Sequence, residues 1–221
     1  MKNVKAIIFD AYGTLFDVNS AAEKCKDKIG DKWEPFANFW RTTQLEYTWL
    51  RSLMERHKDF WQVTEDSLDK SMKAFNIDLS MKDELLNLYK VLSPYKEVPE
   101  TLKTLKEKKF KLAILSNGTP SLLNELVKSN NLDNLFDDIF SIEEVGIYKP
   151  SSKVYDIPIK KYQIEKSEVA FLSANTWDVS GGGNYGYQSI WVNRNNNIFD
   201  NLDYEPKNQI KNLKDLLPKI N

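Results

Sequence analysis

Cysteine, histidine and long apolar runs are all scarce in this sequence of 221 residues. The single cysteine, Cys25, excludes an internal disulfide framework and indicates a reducing compartment. No segment approaches the roughly 18 apolar residues of a membrane span. The four apolar residues that precede Asp10 are too few for the core of a signal peptide. We therefore expect a cytoplasmic protein with no membrane partner.

An excess of charge of either sign is also absent. Lysine and arginine total 31 against 32 aspartates and glutamates, which gives a net charge of −1 at pH 7. This balance offers no electrostatic footprint for nucleic acid or for an anionic membrane surface. The hydrophobic share of 41% and the charged share of 29% are typical of a soluble globular protein rather than a disordered one.

The sequence does contain short apolar runs that alternate with amphipathic segments of helical length. Five runs have the length and continuity of strands covered on both faces: 4–9, 112–115, 138–140, 169–172 and 189–192. Helices are predicted at 99–109, 120–131, 151–162 and 208–219. This alternation predicts an α/β fold with a parallel sheet.

The alternation is interrupted between the first strand and residue 97, where the pattern is helical. Apolar residues recur there at helical spacing: Trp33, Phe36, Trp40, Tyr47, Leu50 and Met54, with Leu45, Trp49 and Leu53 on a second face. A helical block inserted after the first strand suggests a cap over the carboxyl edge of the sheet, where open α/β sheets bind ligands. We predict a core domain of residues 1–15 and 97–221 and a helical cap subdomain of residues 16–96.

Polar clusters follow the predicted strands where a ligand would bind. Residues 10–14 follow the first strand, 116–118 the second and 173–178 the fourth, while Lys149 precedes a proline in a loop. Each cluster alone is common in ordinary turns. Their occurrence together at the carboxyl ends of parallel strands indicates a chemical site.

These clusters resemble the motifs of the haloacid dehalogenase superfamily, in which a nucleophilic Asp follows strand 1 and Ser or Thr, Lys and acidic residues follow later. Within it, the chain resembles the type II L-2-haloacid dehalogenases, with close matches at 40–51, 147–150 and 173–178. The resemblance spans nearly the whole chain. It implies a Rossmann-like parallel sheet core with an inserted helical cap. It also implies a small halogenated carboxylic acid as substrate and hydrolysis of short L-2-haloalkanoic acids to D-2-hydroxy acids.

The main alternative is a magnesium-dependent phosphatase of the same superfamily. The N-terminal motif of such phosphatases resembles Asp-x-Asp-Gly-Thr, and its second Asp protonates the departing alkoxide. In this sequence Tyr12 occupies the position of that second Asp. A chloride leaves as a stable anion and requires no proton. Ala174 stands where a magnesium-binding acid would lie, and Mg²⁺ needs hard oxygen ligands. We expect no metal and no cofactor; the phosphatase and a non-enzymatic binder of small carboxylates or halides are the open alternatives.

The resemblance implies a role for each reacting group. Asp10 displaces the halide from C2 and forms an ester, which splits the hydrolysis into two easier steps. Asp178, supported by Ser173, activates the water that attacks this ester. Thr14 and Lys149 orient Asp10, and the positive charge of Lys149 keeps it ionised. The implied catalytic set is Asp10, Thr14, Arg41, Lys149, Tyr155, Ser173, Asn175 and Asp178.

The resemblance also implies how the substrate is bound. Arg41 and Asn175 receive the halide, since a planar, weakly hydrated guanidinium suits a leaving anion above an apolar pocket. Ser116 and backbone amides near Ala11 and Tyr12 hold the substrate carboxylate. Further contacts with the substrate are predicted for Tyr12, Leu45, Phe60, Asn117 and Trp177.

Two features depart from the family pattern. Thr42 replaces a glutamine expected after Arg41, which puts the size of the pocket in question. Residues 181–186 spell G-x-G-x-x-G, but the strand predicted directly afterwards argues against a dinucleotide site. The three consecutive glycines are expected to loosen the segment after Asp178. The only histidine, His57, is interpreted as structural.

The second apolar face of the cap helix predicts an interface. A helix that is apolar on more than one face requires a partner on each of them. The family resemblance implies the same, and we therefore expect a homodimer.

Overall fold

A parallel sheet forms the centre of the protein. The computed structural model describes Met1 and residues 3–220. The strands in this part of the chain are β1 Ala6–Phe9, β2 Lys111–Ser116, β3 Asp138–Ser141, β4 Val169–Ser173, β5 Gln188–Val192 and β6 Asn208–Ile210. They pair in parallel in the order β3-β2-β1-β4-β5-β6. The α/β sheet predicted from the sequence is confirmed.

The apolar runs became strands because the sheet is covered on both faces. All four residues of β1 have no exposed surface. At its centre, Ile7 pairs with Leu112 on one side and with Ala170 on the other. Continuous apolar sequence is what a parallel strand buried on both faces requires. The first strand begins at Ala6 rather than at residue 4.

Helices occupy both the connections between strands and the segment after β1. They are α1 Ser20–Lys24, α2 Lys26–Ile29, α3 Trp33–Leu53, α4 Phe60–Phe75, α5 Lys82–Lys90, α6 Val98–Glu107, α7 Pro120–Ser129, α8 Ser152–Tyr162 and α9 Thr176–Tyr185. Local signals define several ends. The Asp59 side chain accepts a hydrogen bond from the Gln62 backbone N at the start of α4, and Asn76 ends that helix in the left-handed region. No helix in the described residues is long and apolar enough to cross a membrane.

The helical block between β1 and α6 is built around α3 and α4, which pack against each other. Trp40 Nε1 on α3 donates to the carbonyl of Thr64 on α4 (3.1 Å). The block contacts the core through Tyr148, whose hydroxyl donates to the Lys58 carbonyl (2.6 Å). These contacts place the second half of α3 beside the loop that carries Lys149.

The buried face of α3 differs from the predicted apolar stripe. Beyond Trp40 the buried residues include Thr43, Gln44 and Thr48. Leu53, at the end of the helix, is 82% exposed. Gln44 is buried because its side chain bonds to Thr64 on α4 and to Tyr89 on α5, whereas the Thr48 hydroxyl donates to the Leu45 carbonyl within α3. The apolar end has no covering element among the described residues.

The predicted helix at 208–219 was wrong. The segment begins with β6, which extends the sheet beside β5, and continues as a 3₁₀ turn at Leu213–Lys219. The Asn212 side chain accepts from the Lys214 backbone N at the start of this turn. Pro218 lies within it and cannot donate the backbone hydrogen bond that a longer α-helix needs.

The loosening expected from the three glycines was also wrong. Gly181, Gly182 and Gly183 continue α9, which ends at Gly186 with a φ of 117°. A Cβ at Gly182 would lie 2.7 Å from the ring of Phe171 on β4. The glycines therefore allow α9 to pack close to the sheet.

Candidate active site

The site lies where the strand order changes direction. Strands β2 and β3 lie on one side of β1 and strands β4 to β6 on the other, so the switch falls between β1 and β4. Asp10 directly follows β1, and its backbone N donates to the carbonyl of Leu172 on β4 (2.9 Å). The residues that follow β4 lead into α9, which carries Asp178. Open parallel sheets bind ligands in the crevice at such a switch.

Three donors surround the carboxylate of Asp10, which is only 5% exposed. Lys149 Nζ lies 3.1 Å from Oδ1. The Thr14 hydroxyl and Asn175 Nδ2 both donate to Oδ2, each at 2.9 Å. Thr14 Oγ1 also accepts from the Ala174 backbone N (2.8 Å), so its own proton is directed at Asp10. The arrangement orients a buried carboxylate and, within residues 3–220, leaves Oδ1 with a single donor.

Lys149 joins two carboxylates in the buried site. Its Nζ donates to Asp178 Oδ2 (2.9 Å) as well as to Asp10, and the ammonium and Asp178 are fully buried. Burial lowers the pKa of Lys149, but the negative charges of Asp10 and Asp178 raise it more, so the net pKa is above its ordinary value. The amide oxygen of Asn117 accepts from the Lys149 backbone N (3.2 Å) and fixes the loop.

Asp178 is held from its other side by a tyrosine. The Tyr155 hydroxyl donates to Asp178 Oδ1 (2.7 Å). Burial is the main reason why the pKa of Asp178 is raised, with Lys149 acting in the opposite direction. Ser173, which the sequence led us to expect beside Asp178, accepts instead from the Asn175 backbone N (3.1 Å). The side-chain support predicted from Ser173 therefore comes from Tyr155.

Arg41 reaches the site from α3. Its Nη1 donates to Gln44 Oε1 (2.8 Å) and its Nη2 to the Tyr12 carbonyl (3.3 Å). That carbonyl also accepts from Asn175 Nδ2 (3.3 Å). The predicted halide-binding pair therefore converges on the residue two positions after Asp10. Thr42, in contrast, is exposed and does not border this space.

Aromatic rings form the wall between the two parts of the protein. Tyr12 lies between Phe60, at 5.1 Å between ring centroids, and Tyr89, at 5.7 Å in a stacked arrangement. Burial raises the pKa values of Tyr12 and Tyr89, so both hydroxyls are neutral. Trp177 packs edge-on against Trp49 of α3 (5.4 Å). This wall is apolar and closely packed.

The remaining predicted residues lie at the ends of β1 and β2 and on α3. Ser116 is fully buried at the end of β2, and its Oγ accepts from the Gly118 backbone N (3.1 Å). Ala11 is buried immediately after Asp10. Leu45 is half-buried on α3, one turn after Arg41. No contact that joins Leu45 to the carboxylate cluster is among those described.

Two site residues were missed by the sequence reasoning. Gln44 is buried, and its Nε2 donates to Thr64 Oγ1 (2.7 Å) and to the Tyr89 hydroxyl (3.1 Å). Gln44 lies four residues after Trp40 and four before Thr48 on the buried face of α3. The sequence signal that could have identified Gln44 was a polar residue at that spacing on an apolar stripe. No such signal marked Tyr89, because its hydrogen-bond and ring partners come from other elements.

The carboxylates of the site are grouped around the ammonium of Lys149. In the described part of the chain, no group of three or more His, Cys, Asp or Glu side chains is placed to hold a metal ion. The ammonium of Lys149 lies between Asp10 and Asp178 and forms an ion pair with each. A parallel α/β core, a buried Asp–Lys–Asp cluster and a helical block that supplies an arginine together define a capped α/β hydrolase.

Comparison with known proteins gives the same class. Residues 4–186 match the model of the haloacid dehalogenase-like hydrolases. The chain is 38% identical over 216 residues to an (S)-2-haloacid dehalogenase of Pseudomonas sp. (strain YL), covering 97% of this chain and 93% of that protein.

Solved structures agree over the full length. A crystal structure described as that of a dehalogenase has a TM-score of 0.97 at 36% identity, covering 100% of this chain and 98% of the other. The L-2-haloacid dehalogenase of Xanthobacter autotrophicus, solved with chloropropionic acid covalently bound, has a TM-score of 0.91 at 30% identity, covering 99% and 100%. The chain therefore belongs to the haloacid dehalogenase-like hydrolases and, within them, to the (S)-2-haloacid dehalogenases.

Proposed function

We propose that the protein hydrolyses short L-2-haloalkanoic acids to D-2-hydroxy acids through an ester on Asp10. The observation that carries this proposal is the surroundings of the Asp10 carboxylate. It is buried and held by three donors, and a guanidinium from α3 donates to the Tyr12 carbonyl two residues later. The Tyr12 side chain provides no acid at that position. Family membership and the covalent complex of the Xanthobacter enzyme support the same reaction.

In the first step, Asp10 Oδ1 attacks C2 of the substrate from the side opposite the halogen. An O–C2 bond forms as the carbon–halogen bond breaks, and the halide leaves with the bonding electron pair. Thr14 and Asn175 hold Oδ2, which leaves Oδ1 as the oxygen with more freedom to react. The guanidinium of Arg41 stabilises the departing anion in a site that excludes most water.

In the second step, water attacks the ester carbonyl carbon of Asp10. Asp178 accepts the proton of that water, for which a raised pKa is suited, because a base works best when its pKa is near the ambient pH. The C–O bond broken is that between the Asp10 carbonyl carbon and the ester oxygen, so C2 is inverted only once. Lys149, held at both carboxylates, stabilises the negative charge that develops.

The substrate is held between the strand ends and the cap. The Ser116 hydroxyl and backbone amides near Ala11 and Tyr12 bind the carboxylate, and Asn117 acts through the Lys149 loop that it fixes. The rings of Tyr12, Phe60 and Trp177 and the side chain of Leu45 limit the alkyl group to a short chain.

The same proposal includes the domain boundaries, the oligomeric state and the cellular location. The core comprises residues 1–15 and 97–221 and the cap residues 16–96. The exposed apolar side chains of Leu50, Leu53 and Met54 at the end of α3 are suited to contact with a second copy in a homodimer. The protein acts in the cytoplasm. A sedimentation mass near the 25.7 kDa of one chain would contradict the dimer.

The reaction is tested by chloride release from L-2-chloropropionate in the presence of EDTA. We expect turnover that EDTA does not affect and D-lactate as the product. The Asp10→Asn variant is expected to be inactive, whereas the exposed control Asp83→Asn retains full activity. Absence of chloride release, together with magnesium-dependent release of phosphate from p-nitrophenyl phosphate, would establish the phosphatase instead.

A further inference from the structure

Gly181 lies in α9 three residues after Asp178, and neighbouring side chains occupy the space where a side chain would be. A Cβ at this position would lie 2.5 Å from Tyr155 Oη and 2.7 Å from Pro150 Cβ. Its backbone is helical, and an α-helix favours alanine over glycine. The glycine is therefore required by its neighbours rather than by the backbone.

Close packing and a hydrogen bond fix the position of the Tyr155 side chain. The side chain has no exposed surface. Its ring packs against Phe171 at 5.7 Å between centroids and against Tyr185 and Tyr187 at 6.0 Å each. The hydroxyl bonds to Asp178 Oδ1 (2.7 Å). A methyl group at position 181 displaces this hydroxyl, because closely packed interiors accommodate added volume only by moving side chains.

The two oxygens of Asp178 have different partners. Oδ2 accepts from Lys149 (2.9 Å) and Oδ1 from Tyr155 (2.7 Å). Lys149 alone fixes one oxygen and leaves the carboxylate free to rotate about it. The Tyr155 bond therefore sets the orientation of the group that accepts the proton of water.

We propose that Gly181 is a positioning residue for hydrolysis of the Asp10 ester, because its missing side chain keeps the Tyr155 hydroxyl on Asp178. This inference rests on the proposed function, in which Asp178 activates water. Halide displacement by Asp10 does not need that water. The effect of a side chain at Gly181 is therefore confined mainly to the second step.

The first test compares Gly181→Ala with Gly183→Ala in the same helix. A Cβ at Gly183 meets the ring of Tyr204, which is half-buried and outside the site. For Gly181→Ala, we expect kcat with L-2-chloropropionate to fall roughly 10- to 100-fold, since displacement by about 1 Å can cost 100-fold. A burst of about one chloride per active site is retained, as expected for a slow second step. Gly183→Ala keeps kcat near wild type. Equal losses in both variants would overturn the proposal.

The second test removes the contact with the Tyr155 hydroxyl and keeps the contact with Pro150 Cβ, at 2.7 Å. In Tyr155→Phe the Oη is absent, and the nearest ring atom to the added Cβ is Cζ, at 3.0 Å. Gly181→Ala in this background is expected to lower kcat by less than about threefold, because the two changes act through one contact. The same 10- to 100-fold loss in both backgrounds would mean that Gly181 acts independently of Tyr155, and the proposal would be wrong.

Structure and stability separate this inference from the proposed function. If the wild-type protein releases no chloride, the proposed function fails, and a crystal structure of Gly181→Ala still tests the contact. A Tyr155 hydroxyl displaced from Asp178 supports the steric claim, and one still bonded to it contradicts that claim. If Gly181→Ala does not fold, Tyr155→Phe/Gly181→Ala is expected to be the more stable of the two in urea unfolding. Equal instability of both variants would place the conflict at Pro150 Cβ, at 2.7 Å, and would overturn the claim.

Discussion

At the scale of single residues, one ammonium serves two carboxylates. Lys149 is attracted by both Asp10 and Asp178, so its pKa is raised even though burial acts against the charge. Asp178 shares that ammonium and is repelled by Asp10, so burial dominates and its pKa is raised as well. Both pKa values can be raised together because the cluster contains two negative charges and only one positive charge. Lys149 is therefore charged, and the raised pKa of Asp178 suits it to accept a proton from water.

The Asp178→Asn variant separates the two steps of the reaction. In the proposed mechanism, displacement of halide needs Asp10 but no base, whereas ester hydrolysis needs both water and Asp178. We expect about one chloride per active site and then a stalled enzyme with a 1-carboxyethyl ester on Asp10, bonded through C2 of the substrate. Rapid-quench chloride assays and peptide mass spectrometry measure both quantities. Steady turnover at a wild-type rate would remove Asp178 as the base.

Substitution of Arg41 by lysine is expected to be severe. The guanidinium reaches Gln44 and the Tyr12 carbonyl through two different nitrogens, which a single ammonium cannot reproduce. We expect kcat/KM to fall about 100-fold, the usual effect of removing one donor from a developing anion. Arg56→Lys, at an exposed position, is the control and should be silent. Comparable activity of the two variants would show that the role of Arg41 is structural.

At the scale of secondary-structure elements, α3 holds Arg41 through buried polar contacts. Gln44→Leu keeps the size of the side chain but removes the acceptor of Arg41 and the partners of Thr64 and Tyr89. Leaving such groups unpaired is expected to lower the free energy of unfolding by about 2 kcal/mol. Activity falls as well, because Arg41 loses a fixed position.

Urea unfolding and steady-state kinetics of Gln44→Leu measure these two effects. The control is Gln62→Leu on α4, where the exposed glutamine side chain bonds to Asp66. If Gln44→Leu is as stable and as active as this control, the network on α3 does not support the site.

The elements predicted well are those whose sequence pattern reflects burial alone. The five longer strands are apolar because both faces are covered, and the pattern is visible without knowledge of the fold. Strand β6 was missed because its three residues lie at the edge of the sheet and only Ile210 is buried. Gln44 on α3 was missed because its partners Thr64 and Tyr89 belong to α4 and α5, which no pattern within α3 indicates.

Individual site residues could be predicted only where they belong to a recognisable sequence motif. Asp10, Thr14, Lys149, Asn175 and Asp178 converge as expected, because each follows a strand of one parallel sheet. The bond from Ser173 to Asn175 rather than to Asp178 depends on how the chain turns into α9. The need for a glycine at position 181 depends on Tyr155, which lies on another helix. Contacts of this kind become visible only in three dimensions.

At the scale of the whole molecule, buried tyrosines make the fold sensitive to alkali. Burial raises the pKa values of Tyr148, Tyr155 and Tyr187 above the ordinary value, and that of Tyr95 to about 12. Such a group binds its proton more tightly in the folded state than in the unfolded state. The stability it contributes is complete below about pH 10 and is lost as the pH rises toward the folded pKa.

We therefore expect unfolding and tyrosine ionisation to occur together as the pH is raised from about 10 to 12. Phenolate absorbance at 295 nm should lag behind that of free tyrosine and then rise together with the loss of the helical circular dichroism signal. Complete ionisation near pH 10 with an unchanged dichroism spectrum would show that these hydroxyls are accessible in the folded protein.

The central claim is that Asp10 supplies the oxygen transferred to the substrate and that water afterwards restores Asp10. Its most direct measurement is a single turnover of L-2-chloropropionate in H₂¹⁸O, with the unaltered protein in molar excess. The account predicts ordinary oxygen in the new hydroxyl group of lactate and one ¹⁸O in the peptide that contains Asp10. Label in the lactate hydroxyl with none in Asp10 would contradict it, because water would then have attacked C2 directly.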